Sequence, residues 1–112
     1  MQSNFRLEVT GDVAATVVAV TGELDLTTSP TLEQQLEELR NSGPELLIVD
    51  LRGVEFMDST GLSVLVRGHQ RAADAGHRFA LVNGGAQVRR LLDITGITDR
   101  LTVVDGPEQL LG

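Results

Sequence analysis

No cysteine occurs in the 112 residues, which excludes disulfides, thiolate metal sites and cysteine nucleophiles and is compatible with a reducing compartment. Lysine is missing too. All nine basic residues are arginine, so Schiff-base chemistry and a Walker-type phosphate lysine have no residue to use. Tryptophan and tyrosine are absent and phenylalanine occurs three times, leaving little aromatic surface for stacking on bases or sugars. Positive charge is also short, with nine basic against 16 acidic residues and a net charge of -7. That is the wrong sign for a nucleic-acid backbone or an anionic membrane surface, so a protein partner is expected. No stretch approaches the roughly 20 apolar residues of a membrane span, and the N-terminus lacks the basic start and apolar run of a signal peptide. The expected location is cytoplasmic.

What is present reads as one domain over residues 1–112, long enough to bury roughly two thirds of its unfolded surface. Phe5, Leu7 and Val9 alternate with polar residues, and Ala14 to Thr21 is nearly continuously apolar and Val-rich. With Gly11-Asp12 between them, these predict an antiparallel hairpin whose second strand is covered on both faces. Thr27-Thr28-Ser29-Pro30 supplies a cap and an N-terminal proline for a helix with Leu32, Leu36 and Leu39 inward, stopped by Asn41-Ser42-Gly43-Pro44. Leu46 to Leu51 reads as a buried central strand, followed by a helix with Leu62, Leu65, Val66, His69, Ala72 and Ala73 along one face. Arg78 to Val82 predicts a strand, Asn83-Gly84-Gly85 opens a helix with Val88, Leu91 and Leu92 inward, and Gly96 caps it with Ile97 packing just beyond. Leu101 to Val104 and a brief helix from Gly106-Pro107 complete the chain. Two strands followed by alternating helix and strand predict an α/β fold: a mixed sheet of four to five strands with about four helices.

The junction Asp58-Ser59-Thr60-Gly61 sits where an apolar strand gives way to a helix. Helix starts carry unpaired N–H groups and the positive end of the dipole, so they suit hydroxyl caps and phosphate alike. Capping needs one such side chain; three in a row, before a glycine that lets backbone approach a ligand, leave a functional reading open. Gly22-Glu23-Leu24-Asp25 is, by itself, an acidic surface loop. Asp50 at a strand end suggests a phosphoacceptor aspartate, but that fold needs a further acidic pair and a lysine, and this chain has none. His69 is expected as a rim histidine, His77 lies in a turn, and Asn83-Gly84-Gly85 is a weak phosphate-loop signal. No histidine cluster, acidic metal cage or nucleophile elbow appears, so no catalytic residue, metal or cofactor is expected, and an enzyme is not.

Together, Gly22-Glu23-Leu24-Asp25, the strand Ile48-Val49-Asp50-Leu51, Asp58-Ser59-Thr60-Gly61-Leu62 and Gln87-Val88-Arg89-Arg90-Leu91-Leu92 resemble the STAS family, specifically the stand-alone bacterial anti-sigma-factor antagonists. The resemblance spans nearly the whole chain. It implies partner switching in transcription regulation and stress response. The unphosphorylated protein would bind an anti-sigma factor with serine-kinase activity and release a sigma factor, and the kinase would oppose it by phosphorylation. It implies Ser59 as the phosphoacceptor, Asp58 as the neighbour orienting the kinase contact, Asp25 as part of the docking surface with Thr60 and Gly61, and a metal-dependent serine phosphatase as the reversing partner. No direct nucleic acid, no membrane, and a monomer or weak dimer go with that reading.

Local physics then adds two expectations. Phosphate at this helix start would be favoured by free N–H groups and the dipole, so the mark should leave the fold intact. Val64 lies off the main apolar stripe of its helix and is expected to be a partly exposed apolar contact for the partner. The alternative function is a STAS adaptor subunit of a membrane transport or lipid-trafficking assembly, and a nucleotide-binding or hydrolytic domain is a third.

Overall fold

The computed structural model describes residues 4–111. Five strands, β1 (Arg6–Gly11), β2 (Thr16–Leu24), β3 (Leu46–Met57), β4 (Arg78–Val82) and β5 (Thr102–Val104), form one sheet in the order β1-β2-β3-β4-β5. β1 and β2 are antiparallel, and every later neighbour pair is parallel. The helices are α1 (Ser29–Asn41), α2 (Ser59–Ala75), α3 (Ala86–Ile94) and α4 (Glu108–Leu111), with a 3-10 turn at Ile97–Asp99. This is the mixed α/β sheet that the strand–helix alternation predicts. Among the described residues no helix is long and apolar enough to cross a membrane.

Period-two alternation sorts the central strand between two apolar layers. Leu47, Val49 and Leu51 of β3 join Leu32 and Leu36 of α1, Leu62 and Leu65 of α2, and Val88 and Leu92 of α3 in the main core. Leu46 and Ile48 point the other way into a smaller cluster with Ala80 and Val82, and Val17, Val104 and Leu110 pack against it. Asp50 shares that second face, buried and held by Arg52, whose Nη2 and Nε donate to its carboxylate at 2.7 and 3.0 Å.

Two strand expectations change. β2 is fully buried on one face only: Val18 and Val20 are in the core, whereas Val17 and Ala19 are half-buried. The second layer is too thin to cover it, because α4 is a single short turn beside β4 and β5. β3 runs six residues past Leu51, to Met57. Its alternation is hidden in the sequence because the pairing with β2 shifts twice, between Ala19 and Thr21 and between Gly22 and Glu23, each time placing one more residue on β3 than on β2.

Helix α2 buries more of its circumference than its apolar stripe predicts. Besides Leu62, Leu65 and Ala72, it buries Val64, which is 2% exposed, in the main core. α1 lies alongside, and a Cβ at Gly68 would meet the Phe79 ring at 3.0 Å and Leu36 at 3.5 Å. Glu33 of α1 accepts from Arg67 Nε of α2 at 2.6 Å and lies 3.7 Å from Arg71 Nη1. Val64 is therefore not the partly exposed contact that a single-stripe helix implies. A second helix has taken that face.

Gly76 ends α2 in the left-handed region at φ 82°, which glycine enters without the usual steric penalty. Gly96, at φ 78°, does the same beyond α3, and Ile97 behind it is buried as expected. His69 packs edge-on to Phe79 with ring centroids 6.5 Å apart, as a rim histidine would.

Candidate functional site

The C-terminal ends of β2 and β3 lie side by side, with Leu24 opposite Met57, and the loops leaving them meet. Asp58 N donates to Leu24 O at 3.2 Å, which fastens the Asp58-Ser59-Thr60-Gly61 junction to the chain just before Asp25. Two motifs more than thirty residues apart in sequence thereby become one surface.

Asp58 is the N-cap of α2. Its backbone is extended, and Oδ1 accepts from Thr60 N at 2.9 Å and Gly61 N at 3.2 Å. That corrects one expectation about the helix start: two of the amide groups offered there to a phosphate are already held by a carboxylate. The dipole remains, but Asp58 competes with an incoming anion instead of leaving the N–H groups free.

The four junction residues divide by exposure. Ser59 is exposed at the first position of α2, Asp58 and Thr60 are half-buried, and Gly61 is buried. Ser63 Oγ donates to the Ser59 carbonyl at 2.9 Å. The glycine faces inward, since a Cβ on it would stand 2.8 Å from Leu24 Cγ and Leu24 O and 3.0 Å from Met57 Cγ. Gly61 therefore lets α2 sit against the strand ends instead of admitting a ligand to its backbone.

Asp25 organises its own loop. Its Oδ1 accepts from Thr27 Oγ1 at 2.8 Å, Thr27 N at 3.0 Å and Thr28 N at 3.2 Å. Thr28 Oγ1 accepts from Asp25 N at 2.9 Å and donates to Glu23 O at 2.7 Å, closing the turn into α1. The Thr27 hydroxyl, opposed by some burial and helped by the Thr28 and Thr27 amides, holds the Asp25 carboxyl below its ordinary pKa. Asp25 is thus a fixed anion at the base of the loop. At its tip stands Leu26, 71% exposed.

Three residues take positions that spacing alone did not give them. Leu26 stands exposed at the loop tip, and Phe56 is 43% exposed because the second register shift in β3 turns it outward. Gln87, at the start of α3, reaches back to Met57, accepting from its N at 2.9 Å and donating to its O at 2.8 Å. Asn83, the weak phosphate-loop signal, forms a turn instead. Its Oδ1 accepts from Gly84 N at 3.0 Å and its N donates to Val104 O at 2.8 Å.

The family model described as "STAS domain" matches residues 4–109. The chain belongs to the STAS domain family. Within it, the chain is 36% identical over 106 residues to the anti-sigma-B factor antagonist of Staphylococcus aureus, covering 94% of this chain and 97% of that protein. The crystal structure of an anti-sigma factor antagonist from Mycobacterium paratuberculosis superposes with a TM-score of 0.88 at 29% identity, over 96% of this STAS domain and 92% of that chain. The Bacillus cell fate determinant SpoIIAA in its phosphorylated form has the same fold, with a TM-score of 0.71 at 20% identity over 95% and 96% of the two chains. Ser59, Asp58 and Asp25 lie on one end of this STAS sheet, where β2 and β3 finish.

Proposed function

We propose that this STAS domain is an anti-sigma-factor antagonist of the cytoplasm, a regulatory binding protein and not an enzyme, whose docking surface is switched by phosphorylation of Ser59. The observation that carries the reading is the exposure of Ser59 between partners that are not free: Asp58 is committed to the cap, Thr60 is half-buried and Gly61 is sealed against Leu24. A kinase reaching this junction meets one fully presented hydroxyl.

Unphosphorylated, the surface formed by Ser59, Thr60 and the Asp25 loop with Leu26 at its tip docks on an anti-sigma factor that has serine-kinase activity, and a sigma factor is released. Phosphorylation adds a charge of about -1.5 to -2 next to Asp58 and near Asp25. Since Asp58 holds the nearest amides, that charge is poorly neutralised within the domain and is felt by the partner. Like charges at an interface cost several kcal/mol, so docking weakens by about a hundredfold or more while the fold persists. A serine phosphatase restores the docked state.

Incubating the domain with the cognate kinase and ATP tests this directly. Mass spectrometry should place one phosphate on Ser59, Ser59→Ala should bind the anti-sigma factor permanently, and Ser59→Asp should bind it less well. Phosphate found only elsewhere overturns the site, equal affinity of all three proteins overturns the switch, and recovery of a permease or transport ATPase in place of an anti-sigma factor overturns the partner.

A further inference from the structure

The strand β1 ends the sheet, and among the described residues nothing pairs with its outer side. It is six residues long, against three for β5 at the other edge. The pairing phase of the hairpin decides which of its backbone groups are spare. Asp12 N donates to Ala15 O at 3.0 Å, and the register from there to Arg6↔Thr21 is unbroken. Hydrogen-bonded pairs alternate along an antiparallel ladder, so Thr10, Glu8 and Arg6 turn their N–H and C=O groups toward β2, while Val9 and Leu7 turn theirs outward.

The side chains on this edge are arranged with equal regularity. Arg6, Glu8 and Thr10 lie on the face away from the main core, and Leu7 and Val9 on the face toward it, Leu7 half-buried and Val9 41% exposed. An exposed edge of this kind recruits another strand unless its side chains forbid the pairing. Charges usually do so, but here they have opposite signs two residues apart.

We infer that β1 pairs antiparallel with β1 of a second copy, across a two-fold axis at Leu7, making one ten-stranded sheet. In this register Leu7 faces the second copy's Leu7 and exchanges both backbone bonds with it, and Arg6 faces Glu8 on both sides of the axis. The Arg6–Glu8 pairs fall at the non-hydrogen-bonded positions, where opposed side chains come closest. A shift by one residue puts spare groups opposite committed ones. A shift by two puts Glu8 opposite Glu8 or Arg6 opposite Arg6. The strand therefore selects a single in-phase register with two ion pairs, the self-complementarity that an isologous interface requires. One strand edge covers less than the roughly 800 Å² per partner of a standard interface, and each copy carries a net charge of -7, so the dimer is weak and concentration-dependent.

Sedimentation velocity up to about 1 mM protein tests the pairing, together with hydrogen exchange measured at the two ends of that range. The expected result is a shift from one-chain to two-chain mass, with slowed exchange at the amide of Leu7 and no change at Glu8, which β2 already protects. Arg6→Glu and Glu8→Arg should each weaken association at least about tenfold by opposing like charges, and the double swap should restore it. Circular dichroism of these exposed-site variants checks that the fold is intact. A monomer throughout the range, single variants that dimerise like the parent, or a double swap that stays monomeric overturns the inference.

Discussion

Gln87 satisfies both backbone groups of Met57, one residue before the cap that starts α2. β3 has no sheet partner for those groups at this point on the α3 side, because β4 pairs with it only as far as Asp50. A side-chain amide, with one acceptor and two donors, substitutes for the missing strand. Removing it by Gln87→Leu leaves a part-buried N–H and C=O unpaired and should lower stability by about 1–3 kcal/mol. Gln87→Glu, which keeps the acceptor and loses the donor, should fall between the two. Urea denaturation of the three proteins measures the order, and faster hydrogen exchange at Met57 in Gln87→Leu would locate the loss at the site.

Val64, expected as a partly exposed contact, belongs to the core, and an exposed apolar residue beside the junction is Leu26. Val64 is 2% exposed and packs in the main core, whereas Leu26 stands 71% exposed beside Asp25. Val64→Ala should therefore lower stability by about 1–3 kcal/mol, as loss of buried methyl groups does, with no change in partner affinity at temperatures where the domain is folded. Leu26→Ala should leave the unfolding midpoint nearly unchanged and weaken docking by about tenfold, the scale of one interface residue. Thermal unfolding and calorimetric titration of both variants with the anti-sigma factor separate the effects; partner affinity lost in Val64→Ala alone would reverse the assignment.

The sequence carried the element order because the helices α1 to α3 each have their own start and stop: Pro30 and Gly43-Pro44 for α1, Asp58 and Gly76 for α2, Gly85 and Gly96 for α3. These are local signals, read within a few residues. What was not legible depends on neighbours distant in the chain. Val64 is buried because α1 lies against α2, Phe56 is exposed because β3 slips twice against β2, and Gln87 matters because α3 begins beside Met57. At the candidate site, the capping role of Asp58, and with it the hold on the Thr60 and Gly61 amides, was open to sequence reading, but the inward packing of Gly61 was not. That packing depends on how closely α2 approaches Leu24.

Asp50 and Arg52 form an acid-sensitive ion pair within β3, on the face of the smaller apolar cluster. Burial raises the Asp50 pKa, but the Arg52 guanidinium, the Arg52 amide and the positive charge together outweigh burial and hold the carboxyl below its ordinary value of 3.8. A carboxyl whose folded pKa is depressed binds protons more readily in the unfolded chain. Its contribution is therefore fully present above the unfolded pKa and is lost as pH falls through the lower, folded one. Asp25 and Glu33 are shifted in the same direction, by the Thr27 hydroxyl and by Arg67 respectively, and add to the same acid limb. The expected outcome is a stability plateau near neutral pH and a decline that begins close to pH 4.5, the ordinary value of Glu33, and steepens below pH 3.8, that of Asp50 and Asp25. Asp50→Asn should be less stable than the parent on the plateau, because it loses the charge that pairs with Arg52, and should decline less steeply in acid. Urea midpoints between pH 7 and pH 3 measure both slopes. Parallel curves for the two proteins would show that Arg52 holds Asp50 no more tightly than water does.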